Sequence, residues 1–493
     1  MALAVDHCVE RISHFNPFPS VEARTRVMSL PEKQITNKPM KTIKLHSIKL
    51  RAGRLCTVLC VGVAAGLSSA AAKADVVTDW NQTTLNTLAA VGQRRTPPSG
   101  RLLAMVHSAM HDSINAIDRR FNGYAVNIQA NPSASPEAAT AAAAHAVLLN
   151  QIPSQQANLD AAYVASLAAI PDGASKTDGI SIGESVAAVI LGLRSNDGSS
   201  VTLPYTQAPG PGVFEPVPPA TAVFVAWGQV TPFTLRSGSQ FRAEGPPALT
   251  SADYTRDFNE VKSLGAANST TRTEDQTDAA RFWDENAQIG WNSIARIVSA
   301  QQGLDLWENA RFFALINLAG ADASIAVFDT KYTYNFWRPK AAIHAADTDG
   351  NPDTVADPSW TSLLSDVAHP DYVSQHTAYS AAVAKVMSSF FGTDDISFSF
   401  ATSTAPGGVA RSYHSFSQTV EEISGARVWA GIHFRTACKD AQNQGRQVGH
   451  WVFHKFLEPV KQRNSRLLPH HRDAARQECP GSTTPWRNRK GAK

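Results

Sequence analysis

Between residues 75 and 460 the hydrophobic and polar positions repeat mostly with the 3.6-residue period of an amphipathic helix. In "GRLLAMVHSAMHDSINAIDRRF" (100–121), Leu103, Val106, Met110, Ile114 and Ile117 fall on one apolar stripe. Comparable patterns, many of them alanine-rich, predict helices over 136–152, 155–169 and 178–194. Others follow over 250–265, 272–302 and 305–337, and a last set over 374–392, 412–430 and 433–458. The two-residue alternation of a half-buried strand is rare, so the fold class is all-α. One stretch breaks the rhythm. From 195 to 249 the chain is dense in Pro and Gly ("LPYTQAPGPGVFEPVPPA") and cannot be regular helix. Phe214, Phe224, Trp227 and Phe233 mark it as a packed insertion rather than a free linker. The expected organisation is an N-terminal extension with a signal peptide (1–74) and an N-terminal helical half (75–200). A Pro/Gly-rich insertion (201–249), a C-terminal helical half (250–460) and a basic tail (461–493) complete it.

Charge sharpens those boundaries. The 493-residue chain has a formal net charge of +3. Residues 1–74 and the tail 461–493 each carry a surplus of 7 basic residues, which leaves the body at −11. An acidic body lacks the basic footprint of a nucleic-acid binder.

The N-terminus has the pattern of an export signal. Lys41, Lys44, Lys49, Arg51 and Arg54 precede the apolar run "LCTVLCVGVAAGL" (55–67), and Ala72 and Ala74 form an A-x-A cleavage pattern. The run is short for a membrane span. The expectation is an exported chain, periplasmic or secreted, cleaved near Ala74, with no other membrane segment. Met40 stands where such a signal would naturally begin. Cys56 and Cys60 would leave with the signal. In an oxidising compartment Cys438 and Cys479 then become a candidate pair, and no Cys/His zinc spacing exists.

Three segments carry candidate chemistry. In "HPDYVSQHTAYSAAVAKV" (369–386), Ser374, Gln375, His376 and Thr377 open a small-residue helix. Ser374 reads as an N-cap, and the same helix start reads as an anion site, because its N–H groups and dipole face outward. In "FDTKYTYNFWRPKAAIHAADTDGNPD" (328–353), Lys331 and Arg338 lie seven residues apart. That spacing predicts two cations on one helical face, with Arg338 at the helix end before Pro339. The pattern suits either an anion or snorkelling surface side chains. In "EEISGARVWAGIHFRTACKDAQNQG" (421–445), Arg427 and His433 would diverge on a continuous helix and converge only if it breaks, with Gly431 the natural break.

Taken together, Lys331-x6-Arg338-Pro339, Ser374-x-His376 and Arg427-x5-His433 resemble the three-part signature of the vanadium-dependent haloperoxidases. Those enzymes share their oxoanion site with the type 2 phosphatidic-acid phosphatase superfamily. "NFWRPKAAI", "DGNPDTVADPSWTSLL", "HPDY" and "AMVHSAMHDSINAI" extend the resemblance to the bacterial branch across most of 80–455. The resemblance implies two four-helix-bundle-like halves and vanadate as cofactor. Lys331, Arg338 and Arg427 would neutralise vanadate's equatorial oxygens, with Ser374, Gln375 and main-chain N–H groups around them. His433 would be the single metal ligand and His376 the acid/base toward peroxide. The implied partners are hydrogen peroxide, a halide and a small organic acceptor. His369, five residues before Ser374, would tune the halide toward iodide and bromide rather than chloride, through local polarity and proton affinity. The chain departs from the family pattern in Val373 for Pro, Gln375 for Gly and Ala426 for Ser. A residue replacing Gly at 375 predicts strain if its φ is positive.

Two other readings keep the same residues. A secreted acid phosphatase would use His433 as nucleophile and His376 as leaving-group acid; a degenerate oxoanion-binding protein would use neither. "DTDGNPD", with Asp347, Asp349, Gly350, Asn351 and Asp353, resembles the start of a calcium loop, but Pro358 stands where the twelfth-position Glu is expected, which favours an Asx-rich turn. His344 and His414 are expected to be outer or surface residues.

Overall fold

The computed structural model describes residues 75–92 and 97–460. The signal-peptide reading, Cys479 and the basic tail lie outside them. The described helices are α1 (Val76–Ala90), α2 (Pro98–Ile117), α3 (Pro136–Gln151), α4 (Gln156–Ala168) and α5 (Ala174–Arg194). After the insertion come α6 (Ala252–Leu264), α7 (Glu274–Phe282), α8 (Ala287–Gln302) and α9 (Leu306–Tyr334). The last four are α10 (Pro339–His344), α11 (Gln375–Phe391), α12 (Phe416–Trp429) and α13 (Arg435–Lys455). A two-stranded antiparallel pair, β1 (Phe398–Phe400) with β2 (Arg411–Tyr413), is the only sheet among the described residues.

α9 is the axis of the fold. It packs against α2 from the N-terminal half and against α11 and α13 from the C-terminal half. Its 29 residues are apolar and long enough to cross a membrane, yet 94% of its most apolar window is buried inside the protein. Asp305 caps its start in a reciprocal capping box with Glu308. On the other side α13 lies close to α11 because Gly445 and Gly449 present no side chain there. A Cβ at either position would run into the main-chain carbonyl of Ala378 or Ala382. This close approach brings the start of α11 against the first turn of α13: Ser374 N–H donates to the Ala437 carbonyl at 3.0 Å.

The insertion is ordered. Phe214, Trp227 and Phe233 are buried, and Phe224 stacks edge-on against both Trp227 and Phe328. α1 has no counterpart among the expected helices. Its sequence, VVTDWNQTTLNTLAA, is rich in Thr and Asn, which are weak helix formers; a capping box at Asp75 and the burial of Trp80, Leu85 and Leu88 sustain it. The expected 272–302 helix is interrupted at residues 283–286, where Asn286 starts α8 as its N-cap. The N-terminal end of the expected 412–430 helix is instead strand β2.

Candidate functional site

The largest departure from the sequence expectation is at Lys331 and Arg338, which do not share a helical face. α9 ends at Tyr334, and Asn335 takes a left-handed φ of 52° as its C-cap. Asn tolerates this conformation better than most residues. The chain reverses through Phe336 and Trp337, and Arg338 becomes the residue preceding α10, with Pro339 in its first turn. The two cations are nevertheless brought to one place by the turn. Lys331 Nζ donates to the carbonyls of Pro370 (2.5 Å) and Asp371 (2.9 Å). Arg338 Nε donates to the carbonyl of His369 (2.8 Å) and its Nη1 to that of Ile432 (2.7 Å).

The break between Arg427 and His433 falls where the spacing requires it. α12 ends at Trp429, Gly431 has φ 78°, and α13 begins at Arg435. His433 thus sits in a connector, 4% exposed. Arg338 Nη1 lies 3.3 Å from its Nε2, and its Nδ1 is 2.7 Å from Asp371 Oδ1. Arg427 donates to the Trp283 carbonyl.

Lys331, Arg338 and Arg427 are all buried, at 0%, 3% and 4% exposure. Among the described residues none makes a salt bridge to a carboxylate; their hydrogen bonds go to main-chain carbonyls and ring nitrogens. Burial, aided by the Arg338 charge, pushes the Lys331 ammonium far below its ordinary value. Both guanidiniums are lowered by burial too. His433 is held neutral by burial and then by Arg338, Lys331, Arg427 and His369. His376 is held neutral by burial and by Arg427, and its Nε2 is buried with no hydrogen-bond partner. His376, His369 and Arg427 line one cavity of about 590 Å³. Val223, Phe224, Val367 and Ala368 form its apolar wall, and Asp284, Glu285 and Asp366 its acidic one.

His369 accepts from Arg338 Nη2 at Nδ1 (2.9 Å) and meets Phe328 edge-on at 5.3 Å. Burial and the charges of Lys331 and Arg338 depress its proton affinity. It is a neutral, polar wall. Ser374 is the N-cap of α11, its Oγ accepting from the Thr377 N–H (3.5 Å) and hydroxyl (3.1 Å). Gln375 is the first helical residue and is not among the positive-φ positions, so the strain anticipated there is absent. Its buried amide reaches across to Ser324 Oγ of α9 at 3.5 Å. Ala426 is fully buried on α12 beside Arg427.

The residue that spacing did not single out is Asp371. It belongs to the "HPDY" quartet, and the signal for it was available: a buried imidazole needs a partner for its second nitrogen. The acidic loop at 347–353 is an Asx-type turn. Asp349 accepts from the Asn351 N–H (2.7 Å) and the Thr354 hydroxyl (2.8 Å). No group of three metal-ligating His, Cys, Asp or Glu side chains converges among the described residues. His344 donates to the Trp360 carbonyl, His414 is exposed, and Cys438 is a buried thiol on α13.

The donor set fits an oxoanion such as vanadate. Three buried cations with no carboxylate of their own, an unpartnered imidazole nitrogen and a second imidazole with its Nε2 turned inward favour a compact anion. Residues 311–462 match the family model of the VCPO second helical-bundle domain. Vanadium chloroperoxidase of Curvularia inaequalis is 24% identical over 379 residues, 60% of this chain; the alignment spans 61% of that enzyme's length. Among solved structures, a bacterial vanadium-dependent iodoperoxidase superposes with a TM-score of 0.66 at 25% identity, covering 78% of this chain and 97% of that one. A bacterial vanadium-dependent chloroperoxidase in its holo form gives 0.59 at 17% identity, covering 78% and 94%. Motif, fold and site geometry agree: residues 311–462 match the VCPO second helical-bundle domain, and the chain resembles the vanadium-dependent haloperoxidases in fold and site.

Proposed function

We propose that this protein is a vanadate-dependent haloperoxidase, exported after cleavage near Ala74, that oxidises iodide or bromide with hydrogen peroxide. The observation that carries the reading is three buried cations held by main-chain carbonyls rather than by salt bridges, one of which, Arg338, lies 3.3 Å from His433 Nε2. In the net reaction, halide, hydrogen peroxide and one proton give hypohalous acid and water, the halide losing two electrons to the O–O bond. Bound vanadate would supply Lewis acidity toward peroxide without changing oxidation state. Lys331, Arg338 and Arg427 would hold the oxoanion's charge, and Ser374 would donate to one of its oxygens. His376, neutral and unpartnered at Nε2, is suited to take a proton from peroxide and return it to the leaving oxygen. His433 Nε2 would bind the metal.

The 590 Å³ cavity leading to His376 has the volume of a small-molecule site and would admit the organic acceptor. The halide preference rests on His369, a polar ring in that wall where an apolar aromatic would favour the harder oxidation of chloride. The test is apo-protein loaded with vanadate and assayed with iodide, bromide and chloride, beside a phosphomonoester. His433→Ala should lose vanadate binding and activity together; His376→Ala should bind vanadate but not turn over. Phosphomonoester hydrolysis without halide oxidation would replace this reading by the phosphatase one, and chloride turnover matching bromide would refute the halide preference.

A further inference from the structure

We infer that Asp371 is a positioning residue whose carboxylate fixes His433 as the Nδ1–H tautomer, so that its Nε2 lone pair points into the oxoanion site. This rests on the haloperoxidase reading for what Nε2 meets, but the geometry stands without it. Asp371 is 0% exposed and His433 4%, and their 2.7 Å contact is the sole ion-pair contact of the carboxylate among the described residues. Neither neighbouring cation is its partner. Lys331 Nζ turns to the Asp371 main-chain carbonyl (2.9 Å) and to that of Pro370, and Arg338 reaches the carbonyls of His369 and Ile432. The carboxylate is therefore free to serve the imidazole.

The opposite edge of the ring gives the same tautomer independently. Arg338 Nη1 can only donate, so at 3.3 Å it requires His433 Nε2 to be an acceptor. The hydrogen then belongs on Nδ1, where Asp371 accepts it. When ionised, a carboxylate, unlike a neutral carbonyl, also places negative charge behind the ring, which raises the basicity of a ligating imidazole; burial pushes the Asp371 carboxyl up to about 7. That matters here, because three cations crowd His433 and withdraw charge from it. The device is local in sequence: Asp371 lies three residues before Ser374, and its main-chain N–H donates to the Phe336 carbonyl at 2.9 Å. Its backbone is thereby tied to the α9–α10 turn that also carries Arg338.

The decisive measurement is the ¹⁵N chemical shifts of His433 in vanadate-free protein, paired with vanadate calorimetry. Wild type should show a single neutral tautomer protonated at Nδ1. Asp371→Ala should mix the tautomers and weaken vanadate binding by roughly 10–100-fold, the usual span for loss of a carboxylate behind a ligating His. Asp371→Asn keeps the shape and removes the charge, and should fall within the same range. A wild-type shift showing hydrogen on Nε2, or vanadate affinity within twofold of wild type in a folded variant, overturns the assignment. If neither variant folds, the wild-type shifts alone decide. An Nδ1–H wild type that binds no vanadate would sink the haloperoxidase reading and leave Asp371's role intact.

Discussion

Gly431→Ala isolates the break that aims His433. Two costs are readable at this position. The first is conformational: at φ 78° a Cβ crowds the following carbonyl, at about 1–2 kcal/mol. The second is steric: the new Cβ would press into the Gly265 carbonyl, with Ser362 Cβ at 2.9 Å and the Trp360 ring at 3.0 Å. Backbone cannot yield as a flexible side chain does, so overpacking adds about 1–3 kcal/mol. Gly303 supplies the control, because its φ is 67° but nothing lies within 4 Å of its Cβ position. Gly303→Ala should cost about 1–2 kcal/mol and Gly431→Ala about 2–5 kcal/mol in urea denaturation at equal m values. The functional consequence should exceed the stability loss. His433 follows two residues later; a displacement of about 1 Å costs on the order of 100-fold in turnover, and it also carries Nε2 away from the oxoanion it would bind. Folded Gly431→Ala should therefore show strongly weakened vanadate binding, while Gly303→Ala, on the far end of α8, binds as wild type does. Equal destabilisation by the two substitutions, or wild-type vanadate affinity in Gly431→Ala, would refute the close-approach argument.

Further substitutions test other parts of the site and its support. Lys331→Met removes a charged donor while keeping an unbranched buried chain; vanadate affinity should fall roughly 10- to 150-fold, the equivalent of about 1.5–3 kcal/mol for a hydrogen bond to a charged group, and unchanged calorimetry would contradict its role. Gln375→Gly should not tighten vanadate binding, because Gln375 is already helical and unstrained; a tenfold gain would show that the side chain crowds the site after all. His107, buried in the N-terminal half with Nε2 3 Å or less from the Asn81 amide nitrogen, has its pKa lowered to about 3 by burial and then by Arg296. Its folded value lies below its unfolded one, so its contribution is present above pH 6.5 and is lost as pH falls from there toward 3, by about 1.4 kcal/mol per unit. His107→Gln should flatten that acid limb in denaturation at pH 7 and pH 5. Calcium or EDTA should leave the melting temperature unchanged, since Asp349 is already engaged by Asn351 and Thr354.

What the sequence revealed follows from the range of the forces involved. Helix existence was legible because amphipathic periodicity is a local pattern, and α2 and α9 cover nearly the stretches their stripes predict. α1 escaped notice because its polar composition hides a helix held up by tertiary burial of Trp80 and Leu88, which no local pattern encodes. The Gly431 break was legible because two side chains had to converge and only one residue between them tolerates the needed φ. The geometry linking Lys331 to Arg338 was not. Two helical turns of spacing looked sufficient, whereas the left-handed Asn335 ended the helix one turn early. Asp371 was invisible to spacing because its partner is 62 residues away and the pairing exists only after α11 and α13 have packed.

The arrangement of the cations explains how this site can stay open to an anion. A carboxylate beside each of Lys331, Arg338 and Arg427 would neutralise them and compete with any ligand, as ordinary buried ion pairs do. Main-chain carbonyls of His369, Pro370, Asp371, Ile432 and Trp283 instead satisfy some of their donors and leave the charge intact. The cations are thus fixed in place without being spent, at the cost of burying positive charge that only a bound anion compensates. Folding and anion binding are coupled in consequence: an oxoanion at 100 times its dissociation constant should stabilise the protein by about 2.7 kcal/mol. On the proposed reading, vanadate should act at lower concentration than phosphate, because His433 Nε2 would offer it a metal bond, and in Lys331→Met the stabilising curve should shift to higher concentration for both. A shift for vanadate alone would mean that Lys331 serves the metal centre rather than the oxygens. The carbonyl cradle would then support a role other than general oxoanion capture.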